Sequence, residues 1–252
     1  DVEDATNVLT LATTYTDTAG NAPASTSTTD NYTVDTTAAT VVAFTLSDSA
    51  LKIGDTATVT LQFSEAVAGF SSDADVTVQN GSLATMTSSD NITWTGTFTP
   101  SSDVEDATNV MSLATSYTDT AGNAGPSATT DNYEVDTIRP TVAAFTMSDT
   151  ALISGETSTV TLQFSEAVAS FSSDDDITVQ NGSLATMTSS DNITWTGTFT
   201  PTSDVEDATN VLTLATTYTD TAGNPPASST ATANYTVDTT APSVTSFTIS
   251  DS

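Results

Sequence analysis

The chain is expected to be all-β: tandem immunoglobulin-like seven-stranded β-sandwiches in an extended array. Three observations predict this. The sequence repeats itself with a period near 100 residues, Asp-Val-Glu-Asp-Ala-Thr-Asn-Val starting at residues 1, 103 and 204. That period is too long for a solenoid unit and suits a whole small domain. Within each copy, apolar residues alternate with Thr and Ser in short runs, the period-2 pattern of half-buried strands. Turn signals separate those runs every 8–12 residues, as in a sandwich.

The copies set the domain boundaries. Residues 35–135 and 136–237 are two full copies, and Thr77 to Pro100 recurs unchanged as Thr178 to Pro201. Residues 1–34 read as the back end of a preceding copy. Residues 238–252 read as the first strand of a following one. The chain thus reads as a window on a longer array.

The copy from Asp35 gives its strands in order. Val42, Phe44 and Leu46 alternate with small or polar residues and make the first strand. A turn with Gly54 follows. Ala57, Val59, Leu61 and Phe63 alternate with Thr58, Thr60 and Gln62 in the second. Val76 and Val78 open the third, after a loop that ends at Asp75. Asn80-Gly81 then predicts a tight type I′ hairpin, with φ > 0 at both residues, into a fourth strand marked by Leu83 and Met86. Ile92, Trp94, Gly96 and Phe98 alternate with four threonines in the fifth, which Pro100 should stop. Ser101–Ala107 is expected as an acidic loop. Met111 and Leu113 mark the sixth strand, Thr118–Asn123 a loop, and Tyr133 and Val135 the last. The predicted core is Phe44, Val59, Leu61, Phe63, Trp94, Phe98, Leu113 and Tyr133.

Composition narrows the function. The chain has 2 basic residues against 32 acidic ones, a formal charge of −30, with no Cys and no His. No disulfide or thiol chemistry is available. The usual general base is missing, so no enzyme is expected. Such a surface repels nucleic acid and anionic lipid. No apolar run reaches the ~20 residues that span a bilayer, so no membrane insertion is expected.

The acids follow the strand order. Strands alternate direction, so Asp35, Glu65, Asp75 and Asp119 fall at one pole of the first full copy. Asp103, Glu105 and Asp106 fall at the other, next to the linker residue Asp136. The following copy brings Glu166, Asp176 and Asp220 to that same junction. So many carboxylates need neutralising. Ca2+ takes 6–8 hard oxygen ligands in flexible geometry, amide oxygens such as that of Asn224 included. The eleven acids named are the candidate ligands. A plainer reading also stands, in which the loops are acidic because they are solvated.

Three motifs carry a family resemblance: Val-Asp-Thr-x-x-Pro linkers at 135–140 and 237–242, Phe-Ser-Glu-Ala-Val at 63–67 and 164–168, and Asp-Thr-Ala-Gly-Asn at 17–21, 119–123 and 220–224. In that order they resemble the bacterial Ig-like tandem repeats of giant secreted adhesins, RTX-type and biofilm-associated ones among them. The resemblance covers the whole chain. It implies calcium near the domain junctions, export to the bacterial cell surface, and a rod that carries a distal adhesive region. The expected partners are neighbouring identical repeats. A filament built end to end from other copies, by strand addition between the partial repeats, and a weak sugar- or protein-binding module are the alternatives. The linker after Asp35 lacks the proline found at Pro140 and Pro242, so the joints are expected to differ.

Overall fold

A computed structural model describes residues 2–250. Asp1 and residues 251–252, the outermost positions of the two partial copies, lie outside it. The chain divides into two compact units: 1–49 with 55–101 and 106–134, and 50–54 with 102–105 and 135–252. Among the described residues no helix is long and apolar enough to cross a membrane.

The repeat 136–237 shows the architecture. Its strands are β1 (Val142–Met147), β2 (Ala151–Ile153), β3 (Ser158–Phe164), β4 (Val168–Ala169), β5 (Ile177–Thr178), β6 (Gly182–Leu184), β7 (Thr194–Pro201), β8 (Glu206–Asn210), β9 (Thr213–Leu214), β10 (Thr219–Asp220), β11 (Thr230–Ala231) and β12 (Tyr235–Asp238). One helical turn, α1 (Ser173–Asp176), precedes β5. One sheet has the order β1-β3-β7-β6. The opposing layer is built from β2-β12-β8, β5-β9-β11 and the pair β4-β10.

The alternation read from the sequence is what closes this sandwich. On β3, Val160, Leu162 and Phe164 are buried while Thr159 is exposed. Phe199 on β7 meets Tyr235 on β12 edge to face, ring centroids 5.2 Å apart. Leu152, Leu212, Leu214 and Val237 complete the core from the other layer. Tyr235 also donates its hydroxyl to the Gln180 carbonyl oxygen. Burial pushes that phenol up to about 12, with Asp207 adding to it, so it stays a neutral donor.

The repeat 35–135 has the same four-stranded sheet: Val41–Leu46, Ala57–Phe63, Thr93–Pro100 and Gly81–Leu83. Its predicted core residues are buried, apart from Trp94, which is half-buried against Phe70 at 4.9 Å. The Nε1 atoms of Trp94 and of its counterpart Trp195 are shielded from solvent and meet no hydrogen-bond partner among the described residues.

The structure corrects the sequence reading at several points. Asn80-Gly81 does not close a hairpin. Val76–Thr77 pairs with Ser112–Leu113, whereas Gly81–Leu83 pairs with Thr93–Pro100. The chain crosses between sheets there. Asn80 has φ +48°, but Gly81 is not left-handed. Gly81 is needed for space, because a Cβ on it would lie 2.2 Å from the Phe98 ring. Pro100 does stop its strand as expected, being the last residue of Thr93–Pro100, where it pairs with Gly81. The expected loop Ser101–Ala107 runs into a strand, Glu105–Asn109. The strands are not all antiparallel, since β2 runs parallel to β12, Leu152 opposite Val237.

The partial copies behave unequally. In the leading one, Glu3–Asn7 pairs with Tyr32–Asp35 and Thr10–Leu11 with Ser27–Thr28. In the trailing one no strand forms over residues 239–250, and Phe247 is 99% exposed. Its counterpart in the full repeat, β1, is held by β3, and neither partial copy contains an equivalent of β3.

Candidate metal site

The candidate site begins with a five-residue loop that folds on itself. In Asp220-Thr221-Ala222-Gly223-Asn224, the Asp220 Oδ1 accepts the N–H groups of Gly223 (2.7 Å) and Asn224 (2.8 Å). Its Oδ2 accepts Asn224 Nδ2 at 2.9 Å. Gly223 makes the turn possible with φ +97°, a conformation that costs glycine little. The exposed loop of the leading partial copy closes the same way, Asn21 Nδ2 donating to Asp17 Oδ2 at 3.0 Å. The fold of the loop is therefore local.

In the full repeats this loop reaches the linker. Asn224 Nδ2 donates to the main-chain oxygen of Asp136 at 2.9 Å, and Asn123 does so to that of Asp35 at 3.3 Å. The other atom of the Asn224 amide, Oδ1, accepts the Ile53 N–H at 2.8 Å. A main-chain donor requires the oxygen on that side, so the amide turns its nitrogen toward Asp136 and Asp220. Asn224 thus positions the acids; its oxygen is not offered as a ligand.

The result is a group of three carboxylates in each repeat: Asp35, Glu65 and Asp119, and again Asp136, Glu166 and Asp220. Within each group one oxygen of every residue lies within 4.8 Å of the others. Asp119 and Asp220 are buried and the others half-buried. The glutamate sits two residues beyond the end of the long core strand that closes on Phe63 or Phe164. The aspartate of the linker ends the last strand of one repeat, and buried Pro140 follows Asp136.

Burial and neighbouring acids raise three of these six carboxyls. Burial raises the Glu166 carboxyl above its ordinary value, and Asp220, Asp136 and Glu105 add repulsion. Burial also raises Asp136, against a hydrogen bond from Ile138, with Asp220 and Glu105 repelling it further. Glu65 is raised in the same way by burial, Asp35, Asp119 and Glu3. Asp119 is the opposite case. Burial opposes its charge, yet hydrogen bonds from Asn123, Ala121 and Gly122 hold it below the usual range.

The other candidate acids are not gathered into these groups. Asp75 is buried inside the sandwich, accepting the Ser71 N–H at 2.8 Å and the Ser116 hydroxyl. Asp176 does the same with the Ser172 N–H at 2.9 Å and the Thr217 hydroxyl. Asp106 accepts Asn80 Nδ2 at 2.8 Å and the Thr108 N–H at 2.9 Å. Asp103 is an exposed left-handed turn residue, φ +56°. Glu105 acts on the second group as a fourth negative charge. Glu3, its counterpart one repeat earlier, does so on Glu65 and was not among the expected ligands. The repeat of Glu-Asp-Ala-Thr-Asn at 3–7 and 105–109 was the signal for it.

The donor set is all oxygen, anionic and without sulfur or imidazole. That fits a hard divalent cation such as Ca2+ and does not fit a soft metal.

Comparison with known proteins follows this architecture. A family model described as bacterial Ig-like domain matches residues 35–135 and again 136–237. No curated protein matches the chain significantly. Among solved structures, the Escherichia coli adhesin FdeC aligns with 13% identity and a TM-score of 0.41, over 79% of this chain and 64% of that one. A three-domain Ig fragment of titin, I67–I69, aligns with 11% identity and a TM-score of 0.43, over 80% and 65%. The chain therefore spans a little under two thirds of the length of each structure.

Proposed function

The chain belongs to the family of bacterial Ig-like domains, and we propose that it is an extender segment of a bacterial surface adhesin, its joints stiffened by Ca2+. Asp136, Glu166 and Asp220 would hold one ion, and Asp35, Glu65 and Asp119 another. The observation that carries this reading is the position of the triads. Each is built on the aspartate that links one repeat to the next, and one stands in each full repeat. A cation there would relieve the repulsion that raises Glu65, Asp136 and Glu166. It would also fix the linker to two loops of the repeat that follows. Near-identical copies suit a part whose length matters, and the adhesin FdeC is one structure with which the chain aligns. The segment would then act outside the cell, holding a distal binding region away from its surface.

The test is thermal unfolding with Ca2+ and with excess chelator, on the wild type and on Asp220→Asn with Glu166→Gln. A ligand that binds only the folded state raises stability by RT ln(1 + [L]/Kd), about 2.7 kcal/mol at a hundredfold excess over Kd. The wild type should melt higher with Ca2+, and the double variant should lose about half of that rise. Superimposable melting curves in both buffers would remove calcium from the proposal. Small-angle scattering in the two buffers tests the stiffness separately.

A further inference from the structure

Asn80-Gly81 and Asn181-Gly182 are chemically exposed sequences held in a protected conformation. The amide nitrogen that follows an asparagine can attack its side-chain carbonyl, and a following glycine offers least steric resistance. The Gly81 nitrogen would form a bond to Asn80 Cγ, and the Cγ–Nδ2 bond would break with release of ammonia. Water then opens the succinimide at either carbonyl, leaving aspartate or isoaspartate. No reactant beyond solvent is needed.

The fold blocks this step. Asn80 Nδ2 gives its hydrogens to Asp106 Oδ2 (2.8 Å) and Asn109 Oδ1 (2.6 Å). Asn181 repeats both bonds at 2.8 and 2.6 Å, to Asp207 and Asn210. The main chain is fixed too. φ is +48° and +47° at the two asparagines, and the Asn80 carbonyl oxygen accepts the Ser101 N–H at 2.9 Å. Swinging Cγ onto the next nitrogen would break both side-chain bonds. Gly81 cannot be replaced to lower the reactivity, because Phe98 occupies the place of a Cβ.

The product would not fit back. Deamidation replaces the donor facing Asp106 by a second carboxylate, and the isoaspartyl form also lengthens the main chain at the sheet crossing. We propose that Asn80 and Asn181 are deamidation sites closed in the folded repeat and opened by unfolding, so that a repeat held unfolded is marked irreversibly and refolds less stably.

Peptide mapping by mass spectrometry tests this on the whole chain, incubated in mildly alkaline buffer with and without urea. Deamidation tracks the open population, so both sites should react on the order of tenfold or more faster in urea. Asn91 and Asn192, also left-handed but followed by Ile, serve as internal controls and should change little. After dilution from urea, the deamidated chain should melt lower than an unmodified control. Asn80→Asp should lower the melting temperature, and adding Asp106→Asn should restore it by renewing a donor–acceptor pair. If Asn80→Asp does not fold, a folded double variant gives the same answer. Equal rates in both buffers, an unchanged melting temperature after deamidation, or no rescue would each overturn the proposal.

Discussion

The side chain of Asn224 donates to the main-chain oxygen of Asp136, 88 residues earlier in the chain, at 2.9 Å. The same amide ties down Asp220 and accepts from Ile53. One buried side chain therefore sets where two of the three clustered acids stand.

Asn224→Ala should be costly for that reason. It leaves the Asp220 Oδ2 atom, the Asp136 main-chain oxygen and the Ile53 N–H without that partner, a loss of about 1–3 kcal/mol. Urea unfolding should show a lower midpoint with an unchanged slope. Calcium-dependent stabilisation should fall as well, because Asp136 and Asp220 lose their common support.

The pH dependence follows from the raised carboxyls. Asp136 and Glu166 hold protons more tightly folded than unfolded, above their ordinary 3.8 and 4.5. Their contribution to stability is complete below those values and is lost as pH rises through the folded ones. Asp119 has the opposite sign: its contribution is present above 3.8 and is lost only as pH falls through its depressed value. In chelator the chain should therefore lose stability as pH rises from 4.5 through the raised values of Asp136 and Glu166. With saturating Ca2+ the trend should reverse, since protons compete with the cation. Melting curves at two pH values in both buffers decide it.

Gly182→Ala tests the sheet crossing. Its Cβ would sit 2.2 Å from Phe199 Cζ and 2.7 Å from the Thr200 carbonyl oxygen. The ring is fully buried, so it has little room to yield. Overpacking of this kind costs about 1–3 kcal/mol, and denaturant titration should show it. Gly223→Ala should destabilise by a different route, since φ there is +97°. It should also weaken calcium binding, as Gly182→Ala should not.

Tyr133→Phe removes only the hydroxyl that reaches the Gln79 carbonyl oxygen. The ring keeps its contact with Phe98 at 5.3 Å. The expected cost is about 0.5–1.5 kcal/mol. A much larger loss in a chemical denaturation curve would mean that the bond anchors the crossing segment as a whole.

The fold was largely legible, and its misreadings share a cause. Alternation showed which face of Ala57–Phe63 or Thr93–Pro100 is buried, because one-sided burial imposes a period of two. It could not show which strand lies beside which. Asn80-Gly81 looks like a hairpin locally, and only the pairing of Val76–Thr77 with Ser112–Leu113 excludes one. Sorting acids by pole brought Asp136, Glu166 and Asp220 together, as did the same reasoning for Asp35, Glu65 and Asp119. It also swept in Asp75, Asp106 and Asp176, whose carboxylates are used by Ser116, Asn80 and Thr217. Pole assignment gives an end of the sandwich; it does not give the direction of a side chain.

The two tryptophans are the chain's only ones, one in each full repeat. Each indole is wedged against a phenylalanine, Phe70 or Phe171, with its nitrogen shut off from water. An indole so placed emits at shorter wavelength than a solvated one and shifts to the red when its sandwich opens. Replacing one of them by Phe would leave a single native fluorophore. The opening of either repeat could then be followed by light alone, with no label attached.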